Sequence, residues 1–78
     1  MTTATDRIRG YTLKKINDRI ALRDLYTCRM CGVETMEYEI DHIIPLHLGG
    51  KEIDDNRQLL CIPCHKVKTE GEEQARRG

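Results

Sequence analysis

"RQLLCIPCHKVKT" (Arg57–Thr69) is the stretch on which the architecture turns. "RQLLC" has the length and apolar content of a short strand. Pro63 suits the first turn of a helix, where its missing N–H is not needed, and "PCHKVKTE" continues from it. Cys61 and Cys64 thus stand where a strand passes into a helix, with His65 directly after them. Upstream, "CRMCG" carries a second pair, Cys28 and Cys31, on a tight turn that can aim two thiolates at one point. Two CxxC pairs with 29 residues between them read as a single tetrahedral zinc site with four thiolate ligands. Unpaired N–H groups at the helix start can donate to the second pair of sulfurs. Closed by four sulfurs, the site has no open position, so this metal bears on folding and not on chemistry.

Composition calls for such a staple. Seventy-eight residues make one domain, with no Phe, no Trp and 38% hydrophobic residues. Domains below roughly 70–80 residues usually add a metal, disulfides or a partner chain to so thin a core. The N-terminal "MTTATDRIRG" lacks the apolar run of a secretory signal. No stretch approaches the roughly 20 apolar residues of a membrane span. A cytoplasmic protein is expected, where disulfides rarely persist, which again favours zinc.

Outward from this stretch, residues 1–10 read as a flexible lead-in and 11–70 as the working domain. In "YTLKKINDRIALRDLYTC", Leu13, Ile16 and Ile20, with Ala21 and Leu25 beside them, describe an amphipathic helix of about three turns. Thr12 is its expected N-cap. "TMEYEIDHII" alternates Met36, Tyr38 and Ile40 against Glu37, Glu39 and Asp41, as a half-buried strand does. Pro45 ends it, and "HLGGKEIDDN" is loop chemistry. Gly71 should break or end the last helix, leaving 71–78 as a tail. The fold class is therefore small α+β, zinc-stabilised, with an N-terminal helix.

Net charge is zero, yet residues 1–31 carry +4, residues 32–56 carry −6 and residues 57–78 carry +2. A basic beginning and end around an acidic middle can set cations against phosphates and carboxylates near a metal. Asp41-His42 and His65 supply the chemistry. Asp41 and His65 offer an oxygen and a nitrogen to a divalent ion, leaving positions for water and a phosphate. His42, unligated, can take a proton from an attacking water near neutral pH. Successive strand side chains point to opposite faces, so Asp41 and His42 serve one site only if the strand bends there. Arg57, Lys66 and Lys68 flank the site and can hold phosphates. His47 matches no motif position and reads as loop filler.

Taken together, "CRMCG", "EIDHIIPLHLGG" and "DDNRQLLCIPCHKVKT" closely resemble the HNH endonuclease family, over about half the chain. Its common form has two CxxC knuckles, a D-H-I-x-P-L…G-G loop and N-x4-C-x-x-C-H-x-x-K. The resemblance implies a ββα-metal fold of the treble-clef type. It implies His42 as general base, Asp41 and His65 as ligands of a catalytic ion, and Asn56 as a brace that helps orient the base. Where a colicin-like branch carries a further His, this chain has Thr69. A loosely held Mg²⁺ or Mn²⁺, replaceable by Ni²⁺ or Co²⁺, is therefore expected over a tight three-histidine zinc.

The implied activity is DNA endonuclease, nicking one strand per active site. A homodimer, or a phage packaging or restriction partner, belongs to the same family analogy. The alternative is a non-catalytic zinc-knuckle module that binds nucleic acid or protein. Such a binder needs the four cysteines but has no use for Asp41, His42 and His65.

Overall fold

The computed structural model describes residues 10–77, with side-chain surroundings through residue 73. In chain order it holds α1 (Gly10–Arg23), β1 (Tyr38–His42), β2 (Arg57–Cys61) and α2 (Ile62–Arg77). Single 3-10 turns lie at Leu46–Leu48 and Asp54–Asn56. The strands form an antiparallel pair whose register runs from Tyr38 opposite Cys61 to His42 opposite Arg57. Both helices pack against this pair, which makes the expected small α+β architecture. No helix among the described residues is long and apolar enough to cross a membrane. Residues 1–9, most of the expected lead-in, lie outside the described residues.

β2 passes into α2 without a connecting loop, so the second cysteine pair straddles the joint. The first pair sits on a turn closed by the Cys28 N–H to the Val33 carbonyl (2.8 Å) and the Gly32 N–H to the Cys28 carbonyl (2.9 Å). Gly32 takes a φ of 83°, a backbone state that suits glycine. All four sulfurs lie within 4.8 Å of one another. Bonds of about 2.3 Å to a tetrahedral zinc put sulfurs about 3.8 Å apart, and Cys31 Sγ to Cys61 Sγ is 3.7 Å. The cluster fits zinc.

Its electrostatics say the same. Burial pushes the Cys28 thiol up, but N–H groups of Cys61, Cys31 and Met30 outweigh it and hold the group at about 6. Cys64 is pushed up to about 12, by its contact with Cys61, by burial and by the two remaining sulfurs. One thiolate forms readily, while Cys61 and Cys64 resist further negative charge until a cation neutralises it.

The rest of the core is small. Ile20, Leu59 and Leu60 are the largest fully buried side chains among the described residues. Leu60 clusters with Cys28 and Cys61, so the metal site and the hydrophobic core are one body. Tyr26 meets Tyr38 edge to face at 5.9 Å, tying the knuckle to the start of β1. Leu25 and Tyr26 both take positive φ, 56° and 53°, to swing the chain out of α1 into the knuckle. Such backbone costs on the order of 1 kcal/mol or more per residue.

Asp24 anchors that swing. It is 7% exposed, accepts the Leu59 N–H at 3.0 Å and is gripped by Arg23 at 2.8 and 3.1 Å. Burial pushes its carboxyl up, yet the hydrogen bonds from Arg23 and Leu59 prevail and hold it below the usual Asp range.

Several expectations need correction. α1 begins at Gly10, which places Thr12 inside the helix and not at its cap. Leu25 lies past the end of α1 and is 72% exposed, so it does not continue the apolar face. β1 begins at Tyr38, because the Thr35 hydroxyl accepts the Glu37 N–H at 2.9 Å and makes a local turn beside the exposed Met36. Gly71 does not end α2, which continues to Arg77. The Lys68–Glu72 ion pair spans the glycine one helical turn apart, and Glu, Gln and Ala residues follow. Good helix formers and one i,i+4 pair offset a glycine cost of about 1 kcal/mol.

Two measurements check this account. Denaturation of Asp24→Ala should show a loss of about 2–3 kcal/mol, the cost of orphaning a buried N–H and a charged partner, and Asp24→Asn a smaller one. Because the folded carboxyl titrates below the unfolded one, its contribution is full above the unfolded value near 3.9 and fades only as pH falls through the folded one. The gap between wild type and Asp24→Asn should thus stay flat from about pH 8 to 5.5. Metal analysis should find one zinc per chain, released with loss of cooperative folding by chelators or by Cys61→Ser. A well-folded, zinc-free C61S protein would contradict the staple.

Candidate active site

Asp41 and His42 are neighbours on β1, and the strand keeps them apart as strand geometry demands. The chain bends at residues 43 and 44, immediately after the strand and not between the two residues. Asp41 turns toward α2. Its Oδ1 lies 3.8 Å from His65 Nε2 and its Oδ2 2.9 Å from Lys68 Nζ. Gln58, its partner across the sheet, donates to Oδ2 at 3.3 Å. Asp41 is only 8% exposed because α2 packs against β1 here. The alternation read from sequence put Asp41 on the solvent side with Glu37 and Glu39, and packing by α2 reverses that for Asp41 alone.

Asp41 and His65 can share an ion. Two metal–ligand bonds of about 2.1 Å separate the ligand atoms by about 3.0 Å at right angles and about 4.2 Å when opposed, and 3.8 Å falls between. Lys68 completes the surroundings. Its ammonium donates to Asp41 Oδ2, to the His42 carbonyl at 3.0 Å and to Glu72. Burial pulls the Lys68 amine down, but Glu72 and Asp41 outweigh it and hold it above the usual lysine range.

His42 turns the other way. Its Nε2 lies 2.6 Å from Glu52 Oε1, and the ring borders a cleft of about 370 Å³. Asp41, Glu52, Arg57 and Leu13 of α1 also line that cleft. The two neighbours therefore diverge but remain walls of one concavity.

Asn56 holds the intervening loop. Its side-chain oxygen accepts the Ile44 N–H at 2.8 Å, and its amide donates to the carbonyls of Ile44 (3.0 Å) and Lys51 (2.9 Å). The Asn56 carbonyl takes the Ile43 N–H at 2.9 Å. The two glycines serve this closure differently. Gly49 ends the 3-10 turn with φ 93°. At Gly50 a Cβ would fall 1.8 Å from the Ile44 carbonyl oxygen, so the chain passes too close for any side chain.

The flanking cations are placed unequally. Arg57 is 4% exposed, and its guanidinium is shared between Glu52 (3.2 Å) and Asp54 (3.1 Å). Lys66 is exposed on α2. His47, in the turn after Pro45, faces Thr69 and Glu72 across a shallow hollow. On α1, Arg19 grips Asp54 with two bonds of 2.8 Å, and Arg23 reaches the carbonyls of Asp54 and Arg57. Arg19 of the basic start thus neutralises a carboxylate of the acidic middle, and Arg23 ties the same segment down through its carbonyls. Reading the sequence did not single out Asp24, Glu52 or Asp54. Asp24 and Asp54 each have a partner 35 positions away and Glu52 one ten positions away, and the sign alternation of the charge blocks hinted only at the pairs made by Arg19 and Arg57.

This arrangement can be compared with known proteins. The sequence profile of the HNH endonuclease family matches residues 28–71. A protein of Lactococcus phage SK1 named probable HNH endonuclease is 40% identical over 76 residues, covering 83% of this chain and 81% of that one. No solved structure matches significantly. The matched stretch spans both knuckles, β1, the clasped loop, β2 and the start of α2, which is the part that gathers Asp41, His42, Asn56 and His65. The chain belongs to the HNH endonuclease family.

Proposed function

We propose that this nuclease hydrolyses phosphodiester bonds in DNA, cutting one strand per active site, with His42 as general base and a divalent ion held by Asp41 and His65. The observation that carries this is the approach of Asp41 Oδ1 and His65 Nε2 to 3.8 Å from a strand and a helix, beside a cleft that His42 borders.

The division of labour follows from the donors. A carboxylate and an imidazole suit Mg²⁺ or Mn²⁺ and leave further positions for water and a phosphate oxygen. Such an ion, when bound, supplies Lewis-acid stabilisation of charge on the phosphoryl group and leaving oxygen. Gln58 and Lys68 hold the Asp41 carboxylate in place, and the buried position keeps solvent from screening it. His42 removes the proton of the attacking water, for which a neutral imidazole is suited near neutral pH. Asn56 fixes the loop after His42, so that backbone on both sides of the base is pinned. Lys66, exposed on α2, is the cation best placed to meet a phosphate, and Lys68 serves beside it by holding Asp41 with an ammonium shared among Asp41, the His42 carbonyl and Glu72. Arg57 walls the cleft while its guanidinium stays with Glu52 and Asp54. A single such centre acts on a single strand, and the phage relative fits a phage or prophage setting for this activity.

Supercoiled plasmid incubated with the protein and Mg²⁺ or Mn²⁺ should give open-circular product. His42→Ala should lower the rate by about 10²–10⁴-fold, the usual worth of a general base, while keeping its fold and zinc. Asp41→Asn and His65→Ala should weaken Mn²⁺ binding, read by titration calorimetry, without releasing zinc. Unimpaired cleavage by His42→Ala would remove the base assignment. Unchanged Mn²⁺ affinity in both other variants would remove the ion site and favour a non-catalytic binding module.

A further inference from the structure

Glu52 lies in the loop between the glycine pair and the turn at Asp54–Asn56, ten residues beyond His42, where nothing in the motif spacing marks it. Its Oε1 is 2.6 Å from His42 Nε2 and 3.2 Å from the Arg57 guanidinium, so one oxygen serves both. Arg57, opposite His42 in the strand register, has a side chain only 5% exposed. Its other nitrogen bonds Asp54, which Arg19 of α1 holds with two bonds. Glu52 is therefore the end of a relay of fixed charges, Arg19 to Asp54 to Arg57, and its last contact is the imidazole. The contact with His42 lowers the Glu52 carboxyl from its ordinary range against the opposing effect of burial, with Arg57 adding to the lowering. The group is an ionised acceptor.

An ionised carboxylate at Nε2 accepts a hydrogen bond and cannot donate one, so the neutral ring must carry its proton on Nε2. Nδ1 has no hydrogen-bond partner among the described residues and is the nitrogen left with a lone pair. We propose that Glu52 is a positioning residue that locks His42 in the Nε2–H tautomer and so makes Nδ1 the proton acceptor of the reaction. This rests on the reading of His42 as general base. In the step itself, an O–H bond of water breaks and an N–H bond forms at Nδ1. The Nε2 proton stays in place, and the imidazolium so formed faces a carboxylate that remains ionised. Glu52, half exposed at the rim of the cleft, thus both selects the tautomer and offsets the positive charge that develops, as the acid partner of a catalytic histidine does elsewhere.

The test uses the zinc-loaded full chain with Glu52→Ala and Glu52→Gln, each in the wild-type and the His42→Ala background. Glu52→Ala should lower kcat for plasmid nicking about 10–100-fold, the usual effect of losing an orienting partner of a functional histidine, with KM changed by less than about twofold. Glu52→Gln should recover much of that loss, because its side-chain oxygen can still accept from Nε2–H. In the His42→Ala background, Glu52→Ala should cost nothing further, since a group acting only through His42 has nothing left to position. Nitrogen-15 spectra of the neutral His42 ring should show the proton on Nε2 in the wild type and a mixture of tautomers in Glu52→Ala. Full activity of Glu52→Ala, or an equal loss in both backgrounds, would overturn the proposal. A collapse of Mn²⁺ affinity would do so too, by making Glu52 a metal ligand. If His42→Ala is inactive and Glu52→Ala is not, the positioning role alone falls. If His42→Ala cleaves normally, the base assignment falls and takes this role with it.

Discussion

Four sulfurs gathered at the joint between β2 and α2 are the constraint on which the rest of the molecule depends. Ile20, Leu59 and Leu60 make too small a core to fix two helices and a strand pair on their own. A tetrahedral metal at the cysteines would fix three things at once: the knuckle turn, the end of β2 and the first turn of α2. Position of the chemistry follows from that. Cys64 sets where His65 stands, and the antiparallel register sets where Asp41 stands, so their 3.8 Å approach is a consequence of the staple and the ladder together.

A second layer of order is electrostatic. Arg19 and Arg23 on α1 and Arg57 on β2 converge on Asp24, Glu52 and Asp54. Exposed ion pairs taken singly contribute little, and the Arg19–Asp54 pair is of that kind. Asp24 and Arg57 differ, because their side chains are nearly buried and each satisfies more than one partner. The same network that seats α1 on the sheet also ends at His42. Scaffold and site share components, as expected of a chain with no residues to spare for a separate supporting shell.

The loop between the strands illustrates how few residues such closure needs. Asn56 supplies three side-chain hydrogen bonds to backbone that would otherwise be unpaired, Gly49 supplies a left-handed turn and Gly50 supplies the absence of a Cβ. The loop is held by geometry more than by apolar burial. Ile43, Ile44, Leu46, Leu48 and Ile53 all remain substantially exposed.

Reading the residues in order was enough to establish the two cysteine pairs and their convergence, the strand–helix joint at Cys61 and the sheet of two strands, and to propose the set Asp41, His42, Asn56 and His65. These are local or motif-borne features, written in spacing and in the chemistry of each residue type. Element ends were less legible, as at Thr12, Met36 and Gly71. Caps and glycine costs there are of the order of 1 kcal/mol, and a single hydrogen bond or ion pair can reverse them. Tertiary structure alone decided that Asp41 is buried under α2, that Arg57 is drawn into a wall of carboxylates, and that Asp24 and Glu52 matter at all. The burial of Asp41 and the parts played by Asp24 and Glu52 come from contacts between residues 10 to 35 positions apart, and Arg57 is set by carboxylates three and five positions away on an irregular loop; no local periodicity encodes either.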